Sequence, residues 1–246
     1  MSVPAPPSLV IGTAGWTVPK QVAEQFPYGP SALARYAGRF SGAEINTTFY
    51  RPHKPETYRR WAATVPAHFR FAVKAPKTIT HERRLVEAGN LFARFVDEIA
   101  ELGGKVGPLL FQLPPKLDFD AATAAAFFGS ARRIWDGPII LEPRHVTWFG
   151  EDANRLLVDL RISRAGADPL RAPDGDRPGG EPGICYLRLH GSPRVYFSSY
   201  TDEQLAAVRD IILASAAAEK WCVFDNTASG AAAADALRLM ALPGMS

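Results

Sequence analysis

The chain has 246 residues, 47% of them hydrophobic and 22% charged, with a formal net charge of +3. That composition excludes a disordered chain, a coiled coil and a collagen-like fibre, and no apolar run approaches the ~18–20 residues that a membrane span needs. The mild positive charge allows an anionic ligand without demanding nucleic acid. The 2 cysteines, Cys185 and Cys222, are too few for a disulfide scaffold. Residues 1–7 show neither the basic nor the apolar part of a signal peptide, and the expected location is a reducing cytoplasm.

The elements follow in chain order. An apolar run at 8–13 reads as a strand and ends in the short glycine turn Gly12-Thr13-Ala14-Gly15, which is no dinucleotide fingerprint. A helical face at 31–40 carries Leu33, Tyr36, Ala37 and Phe40. A strand is expected at 42–49, a helix at 56–65, a strand at 69–76 and a helix at 90–102 capped by Asn90. Then come a strand at 107–114, a helix from the cap Asp120 to Ile134, a strand at 137–144 and a helix at 152–160. A weaker strand at 161–168 precedes the Pro/Gly/Asp-rich stretch 169–183, which shows no helical pattern. A strand at 184–191, a helix at 201–218 opening on the capping-box pattern Thr201 to Gln204, a strand at 220–226 and a helix at 229–242 close the chain.

About eight strand–helix units in a chain of this length predict an α/β fold, a TIM (β/α)8 barrel forming one domain over 1–246. The rival is an open doubly wound sheet, which uses fewer strands. Residues 1–7 are expected to be a flexible N-terminus, and 169–183 either a lid over the barrel mouth or a disordered loop.

Barrel enzymes carry their reacting groups at the C-terminal ends of the strands, and the polar residues of this sequence gather there. They are Glu44 and Asn46, Lys74, Gln112, Glu142 and Arg144, Asp168, Arg188 and His190, and Asp225 and Asn226. The alternation of side chains places Glu44 with Asn46, Glu142 with Arg144, and Arg188 with His190 on one face each. Cys185 has the opposite parity and is expected to face the helices. Each charge taken singly also fits a solvated strand end or a buried ion pair, but the joint pattern favours a functional mouth. Of the 5 histidines, only His68 precedes a strand. The loops on that face add cations and aromatic platforms, among them Trp16 and Tyr50, which suit an anion carrying a ring. The start of the last helix, 226–230, offers either an anion site or plain capping by Thr227 or Ser229. Glu44, Glu142, His190 and Asp225 are metal-ligand types, but no His-x-His or cysteine cluster accompanies them, and neither a metal nor a cofactor is expected. Lys74 suits an imine-forming lysine if desolvated. Its carboxylate neighbours are expected to keep it protonated, which favours an ion-pair or anion-binding role.

At these residues the sequence resembles the YecE-like family, known as domain of unknown function 72. The resemblance rests on 12–16 (Gly-Thr-Ala-Gly-Trp), 44–50, 71–76, 110–115, 141–144, 188–191 and 224–227, whose order and spacing cover nearly the whole chain. It implies a TIM barrel and a polar pocket built from these motifs, and implies no reaction. One departure is Asp225, where many members carry a second Asn.

The leading functional expectation is a metal-independent enzyme acting on a small anionic, phosphorylated substrate, by hydrolysis, lyase chemistry or isomerisation. His190, Glu44, Glu142 and Lys74 form its catalytic set. Arg144, Arg188, Asn46, Gln112, Asp225, Asn226, Trp16 and Tyr50 contact substrate. Phosphate or sulfate is expected near Arg188 and Asn226. The alternatives are nucleic-acid binding, metal-dependent phosphodiester cleavage, and a non-catalytic ligand-binding barrel. No membrane partner is expected.

Overall fold

Residues 8–173 and 175–245 are described by the structure, a computed structural model. Among the described residues ten short strands follow in chain order, with helices between them except from β6 to β9: β1 (Leu9–Thr13), β2 (Gly42–Ile45), β3 (Arg70–Lys74), β4 (Val106–Gln112), β5 (Ile139–Glu142), β6 (Ile162–Arg164), β7 (Gly166–Ala167), β8 (Gly179–Gly180), β9 (Ile184–Leu189) and β10 (Glu219–Phe224). They form two sheets, ordered β1-β10-β9-β7 and β2-β3-β4-β5-β6-β8. The pairings are parallel except that of β6 with β8.

The expected barrel is met as an α/β fold with one parallel and one mixed sheet. The sheets touch at two places. Ala14 forms an isolated parallel bridge to Glu44. At the other side β6 and β7 are separated only by Ala165, whose N–H donates to the Leu141 carbonyl at 2.9 Å. The sixth predicted strand is therefore split, one piece in each sheet.

The helices are α1 (Ala32–Ala37), α2 (Pro55–Thr64), α3 (Gly89–Ile99), α4 (Ala121–Ile134), α5 (Glu151–Asp159), α6 (Asp202–Ala214) and α7 (Ala231–Met240). Local chemistry sets their starts. Ser31 and Asp120 accept from backbone N–H groups three residues on, and Thr201 with Gln204 completes a full capping box. Three helical expectations need correction. Asn90 is not a cap but the second residue of α3, whose cap position is Ala88. The helix expected to 218 stops at Ala214, because Ser215 is extended. At α7 neither Thr227 nor Ser229 caps, since the cap position is Gly230 at φ 80 and Ser229 Oγ donates to Phe197 O. Among the described residues no helix stands between β7 and β9. Gly179–Gly180 runs antiparallel along β6, held by Gly180 N–H to Asn154 Oδ1 at 2.9 Å and Ser163 Oγ to Glu181 O at 2.7 Å.

Two cores result. The larger packs strands against helices and takes in Cys185 and Cys222. The smaller lies on the opposite face of the strands and draws on both sheets: Val10, Ala72, Leu110, Ile140, Ala165, Tyr186, Trp221 and Val223. Each large aliphatic side chain buried there stabilises by roughly 1.5–3 kcal/mol. The Trp221 ring fits because Gly107 lies beside it. A Cβ on Gly107 would come within 3.1 Å of the indole.

Candidate functional site

Side chains two residues apart on a strand share a face. Two positions beyond Ala72 stands Lys74, beyond Leu110 Gln112, beyond Ile140 Glu142, beyond Tyr186 Arg188, and beyond Val223 Asp225. Glu44 on β2 and His190, just past β9, join them. The face that carries the small apolar core thus turns polar at the C-terminal ends of the strands.

Arg188 is the hub. Its Nε and Nη2 donate to Glu44 Oε2 and Oε1 at 2.9 and 2.8 Å, a bidentate pair. Nη1 donates to Glu142 Oε2 at 3.2 Å, and Nη2 lies 2.9 Å from Asp225 Oδ2. The guanidinium has no solvent exposure. Around it, the Tyr186 hydroxyl donates to Glu44 Oε2 at 3.2 Å and Gln112 Nε2 donates to Glu142 Oε1 at 2.9 Å. Arg144 is held more loosely, with Nε 3.5 Å from Glu142 Oε1 and Nη1 3.5 Å from the Asp168 carbonyl.

His190 is buried between two carboxylates. Its Nε2 stands 3.0 Å from Glu142 Oε1 and 3.1 Å from Arg188 Nη1. Its Nδ1 is 3.1 Å from Asp225 Oδ2, a close contact off the hydrogen-bond axis. A protonated Nε2 donates to Glu142, and a bare Nε2 accepts from Arg188, so both states of this nitrogen have a partner in place. The backbone here is pinned from behind. The His190 N–H and the Tyr200 hydroxyl both donate to the Asp168 carboxylate, and the Gly191 N–H donates to Tyr200 Oη at 2.5 Å. Tyr196, at φ 68, sets its ring edge-on to the imidazole with centroids 5.7 Å apart.

The electrostatics follow from this packing. Burial alone would lift the Glu142 carboxyl, but Arg188, then His190 and Arg144, hold it well below the usual carboxylate range. Burial likewise opposes charge on Asp225, and Arg188 and His190 overcome it and lower its pKa. For His190, burial and Arg188 disfavour the cation, while Glu142 and Asp225 outweigh them and raise its pKa. Lys74 goes the other way. Burial, and then repulsion from Arg188, outweigh Glu44, Glu142 and Asp225 and push its ammonium down to about 8. The carboxylates act in the expected direction, and at about 8 the amine is still mostly protonated at pH 7, but burial and Arg188 outweigh their pull. Those carboxylates are engaged by Arg188. The Lys74 ammonium instead lies 4.3 Å from the Phe49 ring centre, with no ion-pair or hydrogen-bond partner among the described residues.

Seven expected site residues therefore meet in one network: Glu44, Gln112, Glu142, Arg144, Arg188, His190 and Asp225. Lys74 borders it. Asn46 is half-buried, with an Oδ1 that has no partner among the described residues. The others lie apart. Asn226 spends its amide on Asp235 Oδ2 at 2.7 Å and Ser198 O at 2.9 Å. Trp16 packs on Trp61 and Phe71, within the outer core, and Tyr50 is 70% exposed against Phe49. Arg188 and Asn226 are thus each engaged by protein groups, against the expectation that they share an anion. Three carboxylates, Glu44, Glu142 and Asp225, face three cations, Arg188, Arg144 and Lys74, where only partial compensation was expected. Among the described residues no group of three His, Cys, Asp or Glu side chains is arranged to hold a metal ion.

Sequence reasoning passed over Tyr186 and assigned no individual role to the strand-end Asp168 or to the loop residues Tyr196 and Tyr200. Tyr186 shares parity with Arg188 and His190, so its inward position was available. The roles of Asp168 and Tyr200 depend on contacts across 22 and 32 residues, and no local pattern announces the left-handed backbone of Tyr196.

Comparison with known proteins places these motifs in context. A family model described as "Protein of unknown function DUF72" matches residues 10–246. Protein YecE of Escherichia coli (strain K12) is 35% identical over 106 residues, which are 43% of this chain and 38% of that protein. Protein YunF of Bacillus subtilis (strain 168) is 25% identical over 147 residues, 57% of this chain and 52% of the relative. These alignments span about half or less of the relatives' length. Two crystal structures share the fold at 20% identity. A DUF72 family protein from Enterococcus faecalis V583 matches with a TM-score of 0.79 over 94% of each chain. One from Thermotoga maritima MSB8 matches with 0.75 over 94% of this chain and 97% of that one.

Proposed function

The chain belongs to the DUF72 family of proteins of unknown function, and from that premise we propose that it is a metal-independent acid–base enzyme for a small anionic substrate. The reading takes the two sheets as one ring, a TIM barrel closed by the Ala14–Glu44 bridge and the split strand β6–β7. The polar ends of the strands are then its mouth.

One observation carries the reading. His190 Nε2 sits between an acceptor, Glu142, and a donor, Arg188, so it gains or loses its proton without rearrangement. Asp225 at Nδ1 orients the ring and stabilises the imidazolium, and its side chain, 6% exposed, reaches toward the mouth. Arg188 is a positioning residue here. It holds Glu44, Glu142 and Asp225 in one geometry and contacts no substrate. Arg144, whose two contacts are both 3.5 Å long, keeps hydrogen-bonding capacity for a substrate oxyanion. The one-for-one match of carboxylates and cations favours a singly charged carboxylate over a phosphate dianion.

The test is substrate-agnostic. The protein is incubated in D2O with pools of small carboxylates and phosphate esters, and deuterium uptake or turnover is followed by proton NMR. Exchange by wild type that falls at least a hundredfold in His190→Gln, with unfolding curves confirming that the variant is folded, supports acid–base catalysis. No exchange or turnover by wild type in any pool, or equal rates in both proteins, counts against it and favours a binding barrel.

A further inference from the structure

We infer that the ε-amine of Lys74 condenses with the carbonyl carbon of a small 2-oxo acid to form an imine at the C-terminal ends of the strands. The inference rests on the acid–base reading and names its substrate class.

Lys74 is unlike the chain's other lysines that have described contacts. Lys77 pairs with Glu82 at 3.2 Å, and Lys220 donates to the Ile212 carbonyl at 3.0 Å. Lys74 is 5% exposed, yet its nitrogen has no such partner among the described residues and rests over the Phe49 ring. An ammonium buried without a counter-ion is costly. Carboxylates lie close enough to act on it, but Arg188 occupies them. The arrangement keeps an amine desolvated beside a proton relay, which is what a nucleophilic lysine requires. Its pKa near 8 leaves about a tenth of it as free amine at pH 7.

The surroundings specify the partner. Ile45 pairs with Val73, so Asn46, the first residue past β2, and Lys74, the last of β3, are the next residues of their segments. The buried Oδ1 of Asn46 has no donor among the described residues, and the hydroxyl of a carbinolamine supplies one. Arg144 and Lys74 both stand in the field of Glu142, and the loosely held guanidinium of Arg144 suits a carboxylate. A carbonyl next to a carboxylate satisfies all three.

The chemistry balances without an oxidant or reductant. The Lys74 lone pair attacks the carbonyl carbon, the C=O π pair moves to oxygen, and that oxygen takes a proton from the His190–Asp225 relay. The nitrogen returns a proton to the relay. The carbinolamine C–O bond then breaks as the hydroxyl is protonated and leaves as water, and the imine forms.

The experiment treats the whole chain at pH 8 with millimolar pyruvate or glyoxylate and sodium cyanoborohydride, which fixes an imine as a secondary amine, followed by peptide mass spectrometry. The expected result is saturable labelling of Lys74 at about tenfold or more above the exposed Lys54, Lys77 and Lys116, since each unit of lowered pKa raises the free-amine fraction roughly tenfold. The label is absent from that peptide in a folded Lys74→Arg variant. Labelling that follows surface exposure, or that spares Lys74, overturns the inference. His190-dependent deuterium exchange without a Lys74 adduct overturns the lysine chemistry and leaves the acid–base reading standing. A Lys74 adduct equal in wild type and His190→Gln, without exchange in either, does the reverse.

Discussion

Along the inner face of the strands, one pleat separates two chemistries. The lower layer, Ala72, Leu110, Ile140, Tyr186 and Val223, is apolar and buried. Two residues further on, the same strands present Lys74, Gln112, Glu142, Arg188 and Asp225. The lower layer is held by contact area, apart from the Tyr186 hydroxyl that reaches up to Glu44, and its aliphatic positions tolerate apolar swaps of similar volume. The upper layer is organised around one guanidinium, whose removal leaves three carboxylates without their shared cation, while Lys74 stands beside it unpaired.

The largest expected effect is at the hub. Arg188→Met leaves Glu44, Glu142 and Asp225 facing each other without their shared cation. It should cost about 3–5 kcal/mol in urea unfolding at pH 7. A loss under about 1 kcal/mol would mean that solvent already compensates those carboxylates.

Lys74→Met should act in the opposite direction. Burial holds the folded-state pKa of Lys74 below its usual 10.5, near 8. The folded chain therefore binds this proton less well than the unfolded chain. The resulting cost is full below pH 8 and vanishes as the pH climbs toward 10.5. Removing the amine should stabilise by on the order of 1–3 kcal/mol at pH 7, with a smaller gain at pH 9.5. Destabilisation at pH 7 would point to an unrecognised favourable role.

The histidine gives a smaller, pH-dependent difference. The folded-state pKa of His190 lies above its usual 6.5, so its contribution is complete below pH 6.5 and is lost as the pH rises through the folded value. Glu142 and Asp225 have lowered values, so their contribution is present above their usual 4.5 and 3.8 and is lost as the pH falls through the folded values. The deficit of His190→Gln relative to wild type should be greatest near pH 5–6 and shrink above 6.5, as read from thermal unfolding across pH. A constant deficit would contradict the coupling.

In the lower layer Ile140→Val should cost about 0.5–1.5 kcal/mol, with no pH dependence, since it removes one methylene group from an apolar site. A pH-dependent cost there would mean that the two layers are not separable.

Much of this division was legible from sequence. The period-two alternation and the Gly/Pro boundaries located the strands, and parity placed Glu44, Glu142, Arg188 and His190 on one face while turning Cys185 toward the helices. What no local pattern carries is the pairing itself. Arg188 and Glu44 are 144 residues apart, and only the folded sheets show that one guanidinium saturates three carboxylates. The same limit explains Asn226, whose amide turns to Asp235 on α7, and Trp16, whose ring packs on Trp61 rather than standing free. Aromatic residues near strand ends read alike whether they line a site or fill a core. The split of the sixth strand was hidden for a related reason, because the run 161–168 is continuous in sequence and only its two sets of backbone partners divide it.

The contrast between a saturated Arg188 and an uncompensated Lys74 is tested most directly by titrating Lys74 itself. With lysine labelled by 13C at Cε, the Lys74 resonance is assigned by its loss in Lys74→Arg and followed by NMR from pH 6 to 11. A midpoint near 8 is predicted. A midpoint at or above the usual 10.5 would show an ammonium paired with a carboxylate, and would contradict the account.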